Sequence, residues 1–212
     1  MSSWETEQEK FWAGGFGDEY IARNCSPELL ASNLAFFSKI IDRLKSIDSI
    51  IEFGCNVGMN LRAFKQLAPA AKLSGLEINS EACKVLEEFD WLDEIYYKSI
   101  FDFKPDYERT LSFVKGVLIH LNPEKLQDAY DILYRSSKQY ILIAEYYNPS
   151  PISIPYRGHS DKLFKRDFAG EMLDTYSDLT LVDYGFSYRR DPIFPQDDIT
   201  WFLLEKSKES RK

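Results

Sequence analysis

Hydrophobic and polar residues first form a clear helical pattern after Ser26, whose hydroxyl can cap a helix, and Pro27, which suits the first helical position. The apolar residues that follow recur at spacings of four and three: Leu30, Leu34, Phe37, Ile41 and Leu44. This spacing places one apolar stripe along a helix. We interpret that stripe as a core-facing surface.

Short apolar runs and helical patterns alternate over the next hundred residues. The apolar runs predict strands at 49–54, 72–79, 94–103, 113–121 and 139–147. Helical patterns lie between them at 61–68, at 79–89 and after Asn122. The order strand, helix, strand, helix predicts an α/β fold with a parallel sheet and helices on both faces.

The pattern changes after residue 147. A proline-broken loop at 148–160 and a helix near 166–176 precede strands at 179–190 and 199–206. The turn-rich segment between these strands is too short for a crossover helix, so we predict that they are antiparallel neighbours. Asp197 and Asp198 in this segment are interpreted as turn formers.

The chain contains no repeat, linker or low-complexity block that would divide it. We therefore predict one domain over 1–206, followed by a frayed tail at 207–212. Within the domain, 1–45 would form an N-terminal cover and a helix, and 46–206 the α/β core.

Charge and composition narrow the possible partners. The formal net charge of -8 makes nucleic acid or an anionic membrane an unfavourable partner. No apolar run approaches the roughly 18 residues of a membrane span, and the first residues are polar and acidic, so we predict a cytoplasmic protein. The cysteines are odd in number and lack CxxC spacing, so neither a disulfide framework nor a metal site is predicted.

The candidate chemistry lies where the first predicted strand ends. Glu52, Gly54 and Gly58 surround the turn into the next helix, and Glu77 closes the second strand about 20 residues later, the spacing at which an acid meets ribose hydroxyls. The GxxxG spacing has no third glycine, so the loop is poorly suited to a pyrophosphate. S-adenosylmethionine has no phosphate, and Glu52 suits its amine, directly or through water.

The motif ExGCxxGxN at 52–60, with an acid closing the next strand, resembles the class I S-adenosylmethionine-dependent methyltransferases. More narrowly, the chain is similar to the pseudaminic acid biosynthesis-associated methylases at 8–24, 51–61, 115–126, 157–173 and 184–206. The resemblance covers most of the chain. It implies methyl transfer and a Rossmann-like fold, with a seven-stranded, mostly parallel sheet whose last strand is antiparallel.

The resemblance also implies which residues hold the cofactor. Glu77 would bind the ribose, Ile78 would pack on the adenine, and Ser99 would touch the adenine edge, with Asp102 as an alternative contact. The complete expected set is Glu52, Gly54, Cys55, Asn56, Gly58, Asn60, Glu77, Ile78, Ser99, Ile100, Lys115, Gly116 and Val117.

Two histidines are candidates for proton transfer. His120 follows the fourth strand, and its unperturbed pKa near 6.5 suits a general base at neutral pH. The alternative is a histidine that caps Asn122 or packs beneath the cofactor. His159 lies in the polar stretch after the fifth strand, where acceptor loops are expected.

Cations are concentrated in that same stretch. Arg157, Lys162 and Arg166 are predicted to bind an anionic acceptor such as a carboxylate or phosphate, together with Lys165. The alternative is that Lys165 and Arg166 pair with neighbouring aspartates on a solvated helix start.

The segment 11–24 is predicted to form a cover. It interleaves aromatic residues with three glycines, and the glycines would permit movement of a lid. Its polar residues are expected to reach the methionine or the acceptor: Asp18, Tyr20, Arg23 and Asn24, with Tyr20 as a further catalytic candidate.

These patterns together predict a methyltransferase that uses S-adenosylmethionine on a small polar acceptor, such as a nonulosonic or related sugar. An alternative is methyl transfer to an amide, amine or carboxylate of a peptide or natural product. A non-catalytic nucleoside-binding module and a nicotinamide-dependent oxidoreductase are less favoured alternatives. The GxxxG spacing without a third glycine speaks against the oxidoreductase.

Overall fold

The computed structural model describes residues 4–21 and 24–207. Its strands are β1 (Ser49–Phe53), β2 (Lys72–Glu77), β3 (Glu94–Tyr97), β4 (Arg109–Lys115), β5 (Ser137–Glu145), β6 (Ile152–Ser153), β7 (Phe164–Lys165), β8 (Leu179–Ser187) and β9 (Ile199–Lys206). Its helices are α1 (Glu7–Ala13), α2 (Gly15–Ile21), α3 (Pro27–Ile41), α4 (Met59–Leu67), α5 (Ser80–Leu86), α6 (Leu126–Ser136) and α7 (Phe168–Thr175).

Seven strands form one sheet in the order β3-β2-β1-β4-β5-β9-β8. The first five strands are parallel, whereas β9 pairs antiparallel with both β5 and β8. The predicted fold class, including the antiparallel hairpin, is confirmed. The strand order reverses between β1 and β4, so the C-terminal ends of these two strands border the crevice where a ligand is expected.

Two hydrophobic clusters cover the two faces of the sheet. Ile51 and Phe53 of β1 pack in a cluster with residues of α6 and α7. Ile50 of the same strand packs in the other cluster, with residues of α3 and α4. Alternate residues of a strand point to opposite faces. Glu52 and Lys115 therefore share the α3 side of the sheet with Ile50, and this placement matters for the site.

Two of the predicted strands extend well beyond the observed ones at their C-terminal ends. The strand expected at 94–103 ends at Tyr97, because the hydroxyl oxygen of Ser99 accepts a hydrogen bond from the N–H of Phe101 and caps a 3₁₀ turn at Ile100–Asp102. The apolar run 113–121 is likewise only partly strand. Chain direction changes at Gly116, which has a φ of 70°, and a 3₁₀ turn follows at Leu118–His120.

The N-terminal cover consists of α1 and α2, and β6 and β7 form a separate two-stranded ribbon that the sequence analysis missed. None of the helices within 4–21 and 24–207 combines the length and apolar character needed to cross a membrane. The predicted tail lies outside the described residues from 208 onward.

Candidate functional site

A cavity of about 380 Å³ opens at the C-terminal ends of β1, β2 and β4, beneath the cover. Its walls come from the glycine turn after β1, the ends of the neighbouring strands, α1, α2, α3 and the segment before β9. Most of the predicted cofactor residues line it: Gly54, Cys55, Asn56, Asn60, Glu77, Ile78, Ser99, Ile100, Lys115, Gly116 and Val117. The cavity therefore lies at the edge of the sheet that the strand order indicated.

Glu77 ends β2 in the wall of this cavity. One oxygen of its carboxylate, Oε2, accepts a hydrogen bond of 2.7 Å from the N–H of Asn56, and the other accepts bonds of 2.8 Å from the N–H groups of Ile78 and Asn79. Burial raises the pKa of Glu77, and these three N–H donors oppose that shift. The carboxylate thus fixes the glycine turn against the start of α5.

The turn after β1 requires a glycine at Gly54. Its φ is 71°, and a Cβ atom there would lie 2.6 Å from Cγ2 of Val117. The N–H groups of the turn are also largely used within the protein: those of Gly54 and Cys55 donate to the Leu76 carbonyl, and those of Asn56 and Gly58 to Glu77 and Cys55. These four N–H groups cannot also hold a pyrophosphate.

Two predicted cofactor residues lie behind the wall. Glu52 is fully buried, and its Oε1 accepts a 2.6 Å hydrogen bond from the side chain of Asn60, which does line the cavity. Its Oε2 has no hydrogen-bond partner among the described residues. Burial raises the pKa of Glu52 to about 8. Gly58 caps α4 with a φ of 75° and packs against Leu86.

Glu145, at the end of β5, was missed by the sequence analysis. Its Oε1 accepts hydrogen bonds of 2.9 Å from the N–H groups of Val117 and Leu118, and its Oε2 is buried without a hydrogen-bond partner in the part of the chain that the structure describes. Burial raises the pKa of Glu145 to about 7. Glu145 therefore fixes the floor of the cavity after Gly116. An acid that ends an otherwise apolar strand was the available signal.

His120 lines the cavity and is 8% exposed. Its Nδ1 lies 2.6 Å from the carbonyl oxygen of Lys162, so we assign the ring proton to Nδ1, which leaves Nε2 as an acceptor. The ring packs 4.6 Å from Trp12 and 4.9 Å from Tyr156. Burial lowers the pKa of His120 to about 4. The imidazole is consequently neutral at physiological pH.

The cover contributes Trp12, Tyr20 and Asn24 to the cavity. Burial raises the pKa of Tyr20, and its ring packs 5.3 Å from Trp12. Asp18 does not line the cavity, and its carboxylate instead accepts a 2.7 Å hydrogen bond from the side chain of Asn79, which holds α2 on α5. Arg23 lies outside the described residues.

The predicted cationic patch separates in the structure. Arg157 alone of its four cations lines the cavity. The Nζ of Lys162 lies 5.4 Å from the Phe11 ring, and that of Lys165 lies 5.1 Å from the Tyr146 ring. Arg166 forms an ion pair with Glu171 of α7 rather than with the nearby aspartates. Lys162 and Arg166 therefore serve other contacts.

His159 is exposed and packs against Phe11 and Phe16, with ring centroids 5.0 and 6.0 Å away, outside the cavity lining. Asp197, expected only to form a turn, does line the cavity, together with Gln196 and with Asn33 of α3. Nε2 of Gln196 donates a 3.1 Å hydrogen bond to Oδ1 of Asn33. The cavity thus contains a polar group that no sequence spacing indicated.

No family model matches the sequence, and no curated protein matches it. Solved structures do match over nearly the whole chain. The plantazolicin methyltransferase BpumL, in complex with S-adenosylhomocysteine, is 14% identical, with a TM-score of 0.65 over 95% of this chain and 94% of that chain. A Burkholderia thailandensis 1,6-didemethyltoxoflavin-N1-methyltransferase, with S-adenosylhomocysteine bound, is 8% identical, with a TM-score of 0.70 over 98% and 93%.

The magnesium protoporphyrin IX methyltransferase of Synechocystis PCC 6803, with S-adenosylmethionine bound, is 10% identical, with a TM-score of 0.65 over 97% of this chain and 100% of that chain. The chain has the class I methyltransferase fold. At these identities the likeness establishes the architecture. The cavity lies where the strand order reverses, between β1 and β4, and this is the usual ligand site of open α/β sheets.

Proposed function

We propose that this protein is an S-adenosylmethionine-dependent methyltransferase that acts on a small polar acceptor. The observation that carries the proposal is Glu77, whose carboxylate lines a cavity opposite the glycine turn of β1. The fold is that of enzymes solved with S-adenosylmethionine or S-adenosylhomocysteine, which supports this assignment.

The residues present fit such a cofactor. A Cβ atom at Gly116 would meet nothing within 4 Å, so the floor has room for a flat group close to the backbone. The side-chain oxygen of Asn56 lies buried in the cavity wall and has no hydrogen-bond partner within 4–21 and 24–207, and Glu77 retains acceptor capacity for a ribose hydroxyl. The N–H groups of the glycine turn already donate to acceptors within the protein, so they are not available to bind the pyrophosphate of a dinucleotide.

The bound cofactor would supply an activated methyl group on a sulfonium, which is a good leaving group, so the protein mainly positions the reactants and excludes water. Glu77 would hold the ribose, and Ser99 and Ile100 would border the adenine. Trp12 and Tyr20 of the cover close the cavity. If the acceptor loses a proton, Nε2 of His120 would accept it.

The acceptor side of the cavity is aromatic and polar. Trp12, Tyr20, Tyr146 and Tyr156 line it together with Arg157. Aromatic faces and a guanidinium suit a ring with polar or anionic substituents. We propose a nonulosonic (pseudaminic-type) or related sugar as the acceptor and a cytoplasmic place of action. Likeness to the plantazolicin methyltransferase favours a second candidate, a peptide or natural-product acceptor.

Ligand-dependent unfolding tests the cofactor assignment. S-adenosylhomocysteine at 100 times its Kd should add about 2.7 kcal/mol of stability, or roughly 5 to 10 °C in Tm. A Tm shift with NAD and none with S-adenosylhomocysteine would contradict the proposal. Incubation with labelled cofactor and a panel of sugars, nucleotide sugars and peptides, read by mass spectrometry, then identifies the acceptor class.

A further inference from the structure

A lysine occupies an unusual position inside the cavity. Lys115 ends β4 on the α3 side of the sheet, and its side chain reaches Asn33, another lining residue. Its only polar contact within the described residues is a long one, 3.5 Å from Nζ to Oδ1 of Asn33. The ring of Phe36 lies 5.8 Å from the same Nζ. These contacts only weakly compensate the ammonium group for the water that it loses inside the cavity.

Neighbouring residues hold Asn33 in place. Asn33 is 1% exposed, and its Oδ1 also accepts the hydrogen bond from Gln196, which is 6% exposed. The two residues belong to α3 and to the segment before β9, so separate parts of the chain fix the same acceptor. The arrangement orients Lys115 without neutralising it.

Carboxyl groups surround Lys115 at a greater distance. Glu52, Asp197 and Glu145 each attract the ammonium, but none forms an ion pair with it within the described residues. Lys115 is half-buried in the cavity wall, and a cation that loses part of its hydration without a close anion is costly; an anionic ligand reduces that cost. The surrounding carboxyl groups disfavour a doubly charged phosphate more than a singly charged carboxylate.

We propose that Lys115, oriented by Asn33 and Gln196, binds a ligand carboxylate inside the cavity. This inference rests on the proposed function, which offers two sources of that group. One is the methionyl carboxylate of S-adenosylmethionine, and the other is a carboxylate on the acceptor. Lys115 is then a specificity-determining residue.

The test compares two nucleosides that differ in the amino-acid part. S-adenosylhomocysteine carries a carboxylate, and 5′-methylthioadenosine does not. Binding of both to wild type and to Lys115→Met is measured by calorimetry. If the cofactor supplies the carboxylate, the variant should bind S-adenosylhomocysteine at least about tenfold more weakly and 5′-methylthioadenosine within about twofold of wild type.

The second arm uses N-acetylneuraminate and its methyl ester as probes, each added to enzyme saturated with S-adenosylhomocysteine. If the acceptor supplies the carboxylate, Lys115→Met should weaken the free acid about tenfold and leave the ester unchanged. Lys115→Arg keeps the charge and should restore whichever binding was lost. Lys65→Met removes a surface lysine of α4 and is the matched control.

The proposal is overturned if Lys115→Met, folded by circular dichroism, leaves both carboxylate probes within twofold of wild type, or weakens S-adenosylhomocysteine and 5′-methylthioadenosine equally. Failure of the proposed function looks different. In that case wild type binds neither nucleoside.

Discussion

The structure makes a quantitative prediction for Glu77→Gln. A carboxylate offers about four acceptor directions, and the N–H groups of Asn56, Ile78 and Asn79 occupy three of them. About one direction is left for a ribose hydroxyl. A glutamine has a single acceptor oxygen, which Ile78 and Asn79 would take up. Its amide group would then present N–H to the N–H of Asn56.

The substitution should therefore remove one charged hydrogen bond to the ligand. Such bonds contribute about 1.5 to 3 kcal/mol, so the Kd of S-adenosylhomocysteine should rise about 10- to 100-fold. The donor–donor contact at Asn56 should also lower the free energy of unfolding by about 1 to 3 kcal/mol. Both effects follow from the same carboxylate.

Titration calorimetry with S-adenosylhomocysteine measures the first effect, and urea unfolding without ligand measures the second. Glu81→Gln is the matched control, because Glu81 is exposed on α5 and forms an ion pair with Lys84 at the surface. That control should change either quantity little. A folded Glu77→Gln variant that binds S-adenosylhomocysteine within twofold of wild type would refute the placement of the ribose.

Three further changes test the buried groups. The pKa of Glu52 is about 8 in the folded protein and ordinary in the unfolded chain, so the free energy of unfolding of wild type should fall as pH rises from about 5 to 8, by up to about 1.4 kcal/mol per pH unit. Urea unfolding of Glu52→Gln should show a smaller fall over the same pH range, and an equal fall would contradict this assignment. His120→Asn keeps a donor for the Lys162 carbonyl but removes Nε2. If the acceptor loses a proton to Nε2, turnover should fall by about 100-fold, at the low end of general-base effects because burial lowers the pKa of His120 to about 4, and cofactor affinity in calorimetry should not change; unchanged turnover excludes a base role. Glu145→Ala should cost about 2 to 6 kcal/mol in urea unfolding, because the N–H groups of Val117 and Leu118 lose their shared acceptor oxygen, whereas the amide oxygen of Glu145→Gln can accept from both. Equal stability of the two variants would contradict that role.

Local sequence patterns predicted the fold, and they brought the glycine turn and Glu77 together in one cavity wall, because the relevant contacts are close in sequence. The turn at Gly54 and the acid Glu77 belong to one strand-turn-helix-strand unit, where spacing reflects geometry. Strand ends were less accurate. The hydrophobic pattern continues past Tyr97 and past Lys115, where the strands end. After Tyr97 the side chain of Ser99 caps a 3₁₀ turn, and after Lys115 the carboxylate of Glu145 accepts a hydrogen bond from the N–H of Val117.

The polar cluster around Lys115 could not be predicted in the same way, although Lys115 itself was expected among the cofactor residues. Asn33, Lys115 and Gln196 meet across separations of 82 and 163 residues, and no spacing rule connects them. The cations after residue 156 illustrate the opposite error. They are adjacent in sequence, yet Arg166 turns to Glu171 and only Arg157 of the four reaches the cavity. Clustering in sequence did not produce clustering in space.

Exclusion of water explains the electrostatics of the whole cavity. Burial raises the pKa of Glu52 and Glu145 and lowers the pKa of Lys115 and His120, so each shift favours the neutral form. Glu52 and Lys115 lie on the same face of the sheet, on neighbouring strands. A zwitterionic amino-acid group would favour the charged forms of both. Because the pKa of Glu52 is about 8, such a ligand should bind more tightly as pH rises from about 6 to 8, releasing a proton from Glu52. A nucleoside without the amino-acid group lacks the charges that produce this coupling.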